Sequence, residues 1–308
     1  MKHAPYVFVG VLACMASTFW FSIFLPHMQL GVQQPHQPKM GAAYPGKRAG
    51  EAAQGADVYR ANGCVYCHSQ QVNQTGVQFD VVLKKAFPGP AMVQALKYAN
   101  PTLEDKAAEV ILKNLPMMIA SGVDMAAAEL IELQLKRGDE NMEMAKIIKP
   151  LGADIERGWG MRRSVALDYL YEHPVQLGSV RLGPDLANVG GRLPLAEWHL
   201  KHLYYPAALV SASTMPDYPF LFETVSADSN KADKAINFTA GELEALPESR
   251  RPAAGEVVVP RKDAETLVAY LLSLNSSASV PSAPMPPLPK KAKPAETNAA
   301  PAVAILLK

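Results

Sequence analysis

Cysteine is scarce: the chain has three in 308 residues. Two of them, Cys64 and Cys67, share one short stretch, and the third, Cys14, lies in an apolar run. A zinc site would need two more ligands at short spacing, and there is no second cysteine pair to provide them. Net charge is also small, +1 with a sequence pI near 7.7. With no basic excess, nothing suggests a nucleic-acid partner. Charge is absent altogether between Tyr6 and Leu25. Proline, by contrast, is plentiful at 26 residues, many near the ends, where it marks tails and linkers more than a core.

The uncharged run, YVFVGVLACMASTFWFSIFL, would extend about 30 Å as a helix, the hydrocarbon thickness of a bilayer. It reads as a membrane anchor within residues 1–30, with the lipid bilayer as a partner. A cleaved signal peptide is one alternative, but its apolar core is shorter and ends in a small-residue cleavage site. A lipoprotein signal at residues 11–14 is another, although the apolar stretch continues well past Cys14. Lys2 and His3 precede the run, while Lys39, Lys47 and Arg48 follow it, so charge bias alone does not orient it.

The residues Gly63-Cys64-Val65-Tyr66-Cys67-His68 organise the rest. Two thiols two residues apart, with an imidazole directly after the second, suit attachment of one covalent haem c. The thiols of Cys64 and Cys67 bond the vinyl groups and His68 ligates the iron. A redox dithiol or half of a zinc site is the other reading of the same spacing.

Residues 31–49 are rich in Gly, Pro and Gln and read as a linker. Residues 51–61 read as a helix entering the haem motif, with Val58 and Tyr59 inward. Residues 263–275 place Leu267, Tyr270, Leu271 and Leu274 on one helical face. A helix before the haem motif and another closing the domain frame small cytochromes c. The expected fold is therefore mainly α: an N-terminal transmembrane helix and a class I cytochrome c-like domain over residues 50–275, with a helical insertion at about 72–154.

Within that insertion, helices are expected at residues 106–115, 126–137 and 142–148, and its methionines Met92, Met117, Met118, Met125, Met142 and Met144 read as flexible packing. Residues 157–222 carry turn chemistry broken by one helix at 194–205, with Leu195, Trp198 and His202 along one side. Thr239 and Glu242 form a capping box that starts a short helix. Residues 276–308 read as a disordered, proline-rich tail.

An electron-transfer haem needs a ligand opposite His68. Met215 is the first candidate, in a loop stiffened by Pro216 and Pro219. His199 and His202 are its rivals. Near Pro184, packing against His68 would leave a neighbouring carbonyl free to accept the ring N–H. Arg181 and Arg192 flank that segment, and either meet the haem propionates or sit as surface arginines.

Taken together, residues 63–70 (GCVYCHSQ), 171–174 (YEHP), 177–192 (LGSVRLGPDLANVGGR), 198–203 (WHLKHL) and 214–221 (TMPDYPFL) are similar, in order and character, to the membrane-anchored mono-haem subunit of cbb3-type cytochrome c oxidases, FixO or CcoO. The resemblance covers the membrane helix and about half of the remainder. It implies Cys64 and Cys67 for attachment, and His68 and Met215 as axial ligands. It also implies a bacterial inner-membrane protein with one span and a periplasmic haem domain, since c-type attachment in such cytochromes takes place outside the cytoplasm.

The resemblance further implies electron relay from a dihaem cytochrome c subunit or soluble cytochrome c donor to a catalytic haem-copper oxidase subunit that reduces oxygen. No residue of this chain is expected to be catalytic. The alternatives are the anchored cytochrome c subunit of a nitric oxide reductase, and a membrane-anchored haem sensor. The chain departs from the family in its insertion after residue 70, in its long tail, and at Leu177, Val180 and Leu182, where the family has Trp, Lys and Thr.

Overall fold

A computed structural model describes residues 3–38, 41–85, 93–94, 97, 101–104, 106–107, 118–138 and 143–285. Packing divides the chain into two compact units, Met1–Gln78 with Pro150–Pro284, and Phe79–Lys149 with Met285–Lys308.

Helix α1, Ala4–Phe19, continues through wider turns at Trp20–Phe24 and His27–Gly31. The whole stretch Ala4–Gly31 is long and apolar enough to cross a membrane, and none of its most apolar window is buried in the protein. Pro26 lacks an N–H and crowds the preceding turn, and the wider turns around it accommodate this. The hydroxyls of Ser17 and Thr18 donate to the Cys14 carbonyl at 2.9 and 2.8 Å. Their polar groups are thus satisfied within the helix, as a hydrocarbon surrounding requires. The helix is consistent with a single-pass membrane protein.

Helix α2 spans Glu51–Ala61, as its pattern indicates, and buries Tyr59 completely. It packs against the last described helix of the same unit, Lys262–Ser273, closely enough that a Cβ on Gly55 would overlap the Thr266 carbonyl. Tyr59 and Tyr270 meet across this crossing, ring centroids 5.3 Å apart. Such a pair adds about 0.5–1.5 kcal/mol beyond its buried area.

The insertion corrects the sequence reading. The second unit carries a three-stranded sheet, β1 (Gly76–Lys85), β2 (Met118–Val123) and β3 (Glu143–Leu151), in the order β2-β1-β3. Among its described residues, only α3, Met125–Gly138, is helical at the length expected. So the insertion is not simply helical, and the helix expected at 142–148 is a strand. Val77, Val81, Val82, Ile147 and Ile148 are β-branched and favour a pleated surface. Short apolar runs of this length also fit either period, and pairing partners far along the chain decide between them. The helix expected at 106–115 lies, after its first two residues, outside the described residues, as do Met92, Met117 and Met142.

Helix α4, Ala196–Tyr204, and helix α5, Ala240–Ala245, fall inside their expected ranges, the latter with the Thr239–Glu242 capping box formed. Strands β4 (Phe222–Ser226) and β5 (Glu256–Pro260) pair antiparallel, from Phe222 opposite Pro260 to Ser226 opposite Glu256. Helix α6 is Lys262–Ser273. Leu267, Tyr270, Leu271 and Leu274, at its end, are all buried, in a core with Tyr59, Leu203, Tyr204 and Phe222.

The linker and the start of the tail are more ordered than their composition implies. His36 and Tyr44 exchange backbone hydrogen bonds of 2.7 and 2.9 Å. The Tyr44 hydroxyl donates to Asp168 at 2.8 Å, and Asp168 pairs with the fully buried Arg162. Arg48 donates to Glu172 at 2.6 Å and to the Ser273 hydroxyl at 2.8 Å. Val280 and Ala283, within the stretch that reads as tail, are buried against Leu167 and Tyr44.

Candidate functional site

Cys64–Tyr66 make one tight turn directly after α2. The amides of Cys67 and His68 both donate to the Cys64 carbonyl, at 3.2 and 3.0 Å. The turn places Cys64, Cys67 and His68 on the wall of a cavity of about 530 Å³. That volume is within the range of small-molecule and cofactor sites. Met215 lines the same cavity, as do Arg192, Trp198, His199 and His202, with Leu267 and Leu271 of α6 on its apolar side.

His68 is held by the segment that the sequence singles out. Its Nδ1–H donates to the Pro184 carbonyl at 2.8 Å, so the accepting carbonyl is that of Pro184 itself. This fixes the ring and leaves the Nε2 lone pair for a metal. Gly183 makes the approach possible: a Cβ there would overlap the imidazole. The Gly183 amide also ties back to the Cys67 carbonyl at 3.0 Å. Burial lowers the His68 pKa and favours the neutral ring that ligation needs.

Ser69 and Gln70 lock the motif to the rest of its unit, a role the sequence reading missed. The Ser69 hydroxyl donates to the fully buried Asp185 at 2.5 Å, and the Gln71 amide to the same oxygen at 2.7 Å. Gln70 donates to the Tyr270 hydroxyl at 3.0 Å and accepts at its carbonyl from Tyr169 at 2.6 Å. The only signal in the sequence was that Ser-Gln follows the histidine directly.

The two flanking arginines part company. Arg181 is not on the cavity wall: it donates to both oxygens of Asp154 at 3.0 and 2.9 Å, to the Ser69 hydroxyl at 2.9 Å and to the Gln71 carbonyl. It serves as a strut between the haem motif and the 150s. Arg192 is on the wall, donates to the Asp185 carbonyl at 3.2 Å, and has no carboxylate ion pair among the described residues. Burial lowers its pKa. A half-buried guanidinium that feels the Asp185 charge but has no carboxylate in ion-pair contact among the described residues suits a cavity that receives an acidic group.

The loop bearing Met215 is clamped on its C-terminal side. Tyr218 N–H donates to the Leu203 carbonyl at 2.9 Å, and Asp217 accepts from Arg250 at 2.9 Å. His199, almost fully buried, donates from Nε2 to the Leu193 carbonyl at 2.8 Å. Burial pushes the Cys64 thiol up to about 11, so it stays protonated, unlike the low-pKa thiols of redox dithiols. The size of the cavity, its apolar walls, His68, Met215 and Arg192 on its wall fit a haem.

Residues 141–249 match the family model described as "Cytochrome C oxidase, mono-heme subunit/FixO". No curated protein sequence matches the chain. The match points first to a class: over this segment the chain is similar to haem-bearing subunits of cytochrome c oxidases. Within that class the relationship is to the mono-heme subunit, FixO, the family that the motifs resemble. The matched segment is about a third of the chain and carries Pro184, Arg192 and Met215 but not the cysteine motif.

Proposed function

We propose that this chain is the haem c electron-transfer subunit of a cbb3-type oxidase, anchored by α1 with its haem domain, residues 50–275, in the periplasm. Cys64 and Cys67 would hold the haem through thioether bonds, and His68 and Met215 would ligate its iron. Bound haem supplies a one-electron couple whose potential its ligands and burial set. The observation that carries the reading is the His68 Nδ1–H bond to Pro184 at 2.8 Å, which leaves Nε2 for iron in a cavity that Met215 shares.

The residues divide the work. Pro184 orients the ligand ring, Asp185 and Arg181 hold the strand of chain behind it, and Arg192 receives a propionate. Leu182 and Val210 line the cavity and are exposed, at 75% and 44%, which supports an apolar lip where a redox partner can approach a cofactor edge. Electrons enter from a dihaem cytochrome c subunit or a soluble cytochrome c and leave to the haem-copper catalytic subunit.

The test is purification of the full chain from membranes, with haem staining on a denaturing gel and identification of the proteins that accompany it. Stain at the mass of this chain together with a haem-copper subunit is expected. A chain without covalent haem defeats the reading, and a complex that reduces nitric oxide but not oxygen moves it to the nitric oxide reductase class.

A further inference from the structure

His202 lines the cavity from α4, its ring stacked on Trp198 with centroids 4.7 Å apart and planes 13° from parallel. Its Nδ1 is sealed from solvent and meets no hydrogen-bond partner among the described residues. Its other ring nitrogen, Nε2, is not sealed in this way, and it is the nitrogen left to face the cavity that the ring lines. A buried N–H with no acceptor is rare in folded proteins, which puts the lone pair on Nδ1 and the single proton of the neutral ring on Nε2. Burial keeps the ring neutral, its pKa drawn down to about 4. His68 has the opposite arrangement: the proton sits on Nδ1, held by Pro184, and the lone pair is on Nε2. For His202 to ligate iron from its cavity side, its proton would have to move to Nδ1, where no described residue receives it.

We propose that His202 is a hydrogen-bond donor to the cofactor and not a ligand: its Nε2–H binds a haem carboxylate, sharing recognition of the acidic edge with Arg192. The proposal rests on the haem reading above. An ionised carboxylate near the iron favours the ferric state, and a donor that offsets its charge raises the potential. His202 thus acts as a positioning residue that also tunes the couple.

The test uses the full-length, haem-bearing chain and the variants His202→Leu and His202→Gln, with midpoint potentials and ferric spectra measured for each. Leucine should lower the potential while the methionine-to-iron charge-transfer band stays. Glutamine, whose terminal amide donates from a similar place, should restore most of the potential. Loss of the low-spin spectrum in His202→Leu would make His202 a ligand and overturn the proposal. So would an unchanged potential in that variant, or equal falls in both.

If the leucine variant does not accumulate, the reduced wild-type chain labelled with ¹⁵N-histidine decides. A slowly exchanging Nε2–H, absent from His202→Gln, supports the proposal, and an Nδ1–H tautomer or an unprotected proton overturns it. Failure of wild-type haem staining sinks the function itself, whereas an unshifted potential in a haem-bearing variant sinks only the role of His202.

Discussion

His68 and Pro184 lie 116 residues apart in sequence, yet the imidazole Nδ1–H of one meets the carbonyl of the other at 2.8 Å. The contact chooses the ring's tautomer, and it exists because the residue before Pro184 has no side chain. Replacing Gly183 with alanine should therefore displace His68, at a cost of about 1–3 kcal/mol typical of overpacking. Reduced haem content and a mixed-spin ferric spectrum are expected, whereas Gly241→Ala, which adds a methyl into open space, should leave both as they are.

Met215 is expected to be the sixth ligand. Met215→Ala should keep haem covalently bound through Cys64 and Cys67 but convert ferric iron to high spin and open it to carbon monoxide when reduced. Absorption spectra of the purified variant decide this, and an unaltered spectrum would strike Met215 from the ligand set.

The fully buried Arg162 neutralises Asp168 through two hydrogen bonds, of 3.0 and 2.8 Å. Arg162→Met strands a carboxylate. Loss of one partner of a buried pair costs about 3–5 kcal/mol. A drop in the thermal midpoint is expected, and Asp168→Asn in the same background should recover part of it.

The linker is pinned by Tyr44 on Asp168 and by Arg48 on Glu172. Cutting both contacts with Tyr44→Ala and Arg48→Ala should speed proteolysis within residues 31–49 by more than tenfold, with haem absorbance preserved. Equal cleavage rates in wild type and double variant would mean that the pinned state is not the populated one.

Burial also lowers the His199 pKa, with a smaller push from Arg192. Below the ordinary histidine pKa of 6.5 the unfolded chain takes up a proton that the folded chain refuses, so stability falls as pH drops from there. Above that pH the ring is neutral in both states and contributes no slope. Unfolding midpoints across this range should show the fall, and His199→Gln should remove part of it, the buried His202 accounting for a further part.

Local patterns were readable wherever a periodic apolar face coincided with a helix of ordinary length. Residues 51–61 and the run carrying Leu267, Tyr270, Leu271 and Leu274 are of that kind, since their burial follows from spacing alone. Between residues 72 and 154 spacing located α3 but not the strands. Gly76–Lys85 and Glu143–Leu151 become strands because each finds sheet partners, and a β-branched run has no period that announces a partner tens of residues away.

The site divides along the same line. The order of residues established the C-x-x-C-H unit, the apolar run able to span a bilayer, and a methionine in a proline-stiffened loop, because each of these is chemistry carried by neighbours in the chain. Which arginine reaches the cavity and which becomes a strut, and which ring nitrogen of each histidine holds the proton, were decided only by the folded arrangement. Asp154 captures Arg181, and the Pro184 carbonyl captures the His68 proton, from far along the chain. Charge pairing and tautomer choice depend on what lies within 3 Å in space, and sequence position carries no such distances.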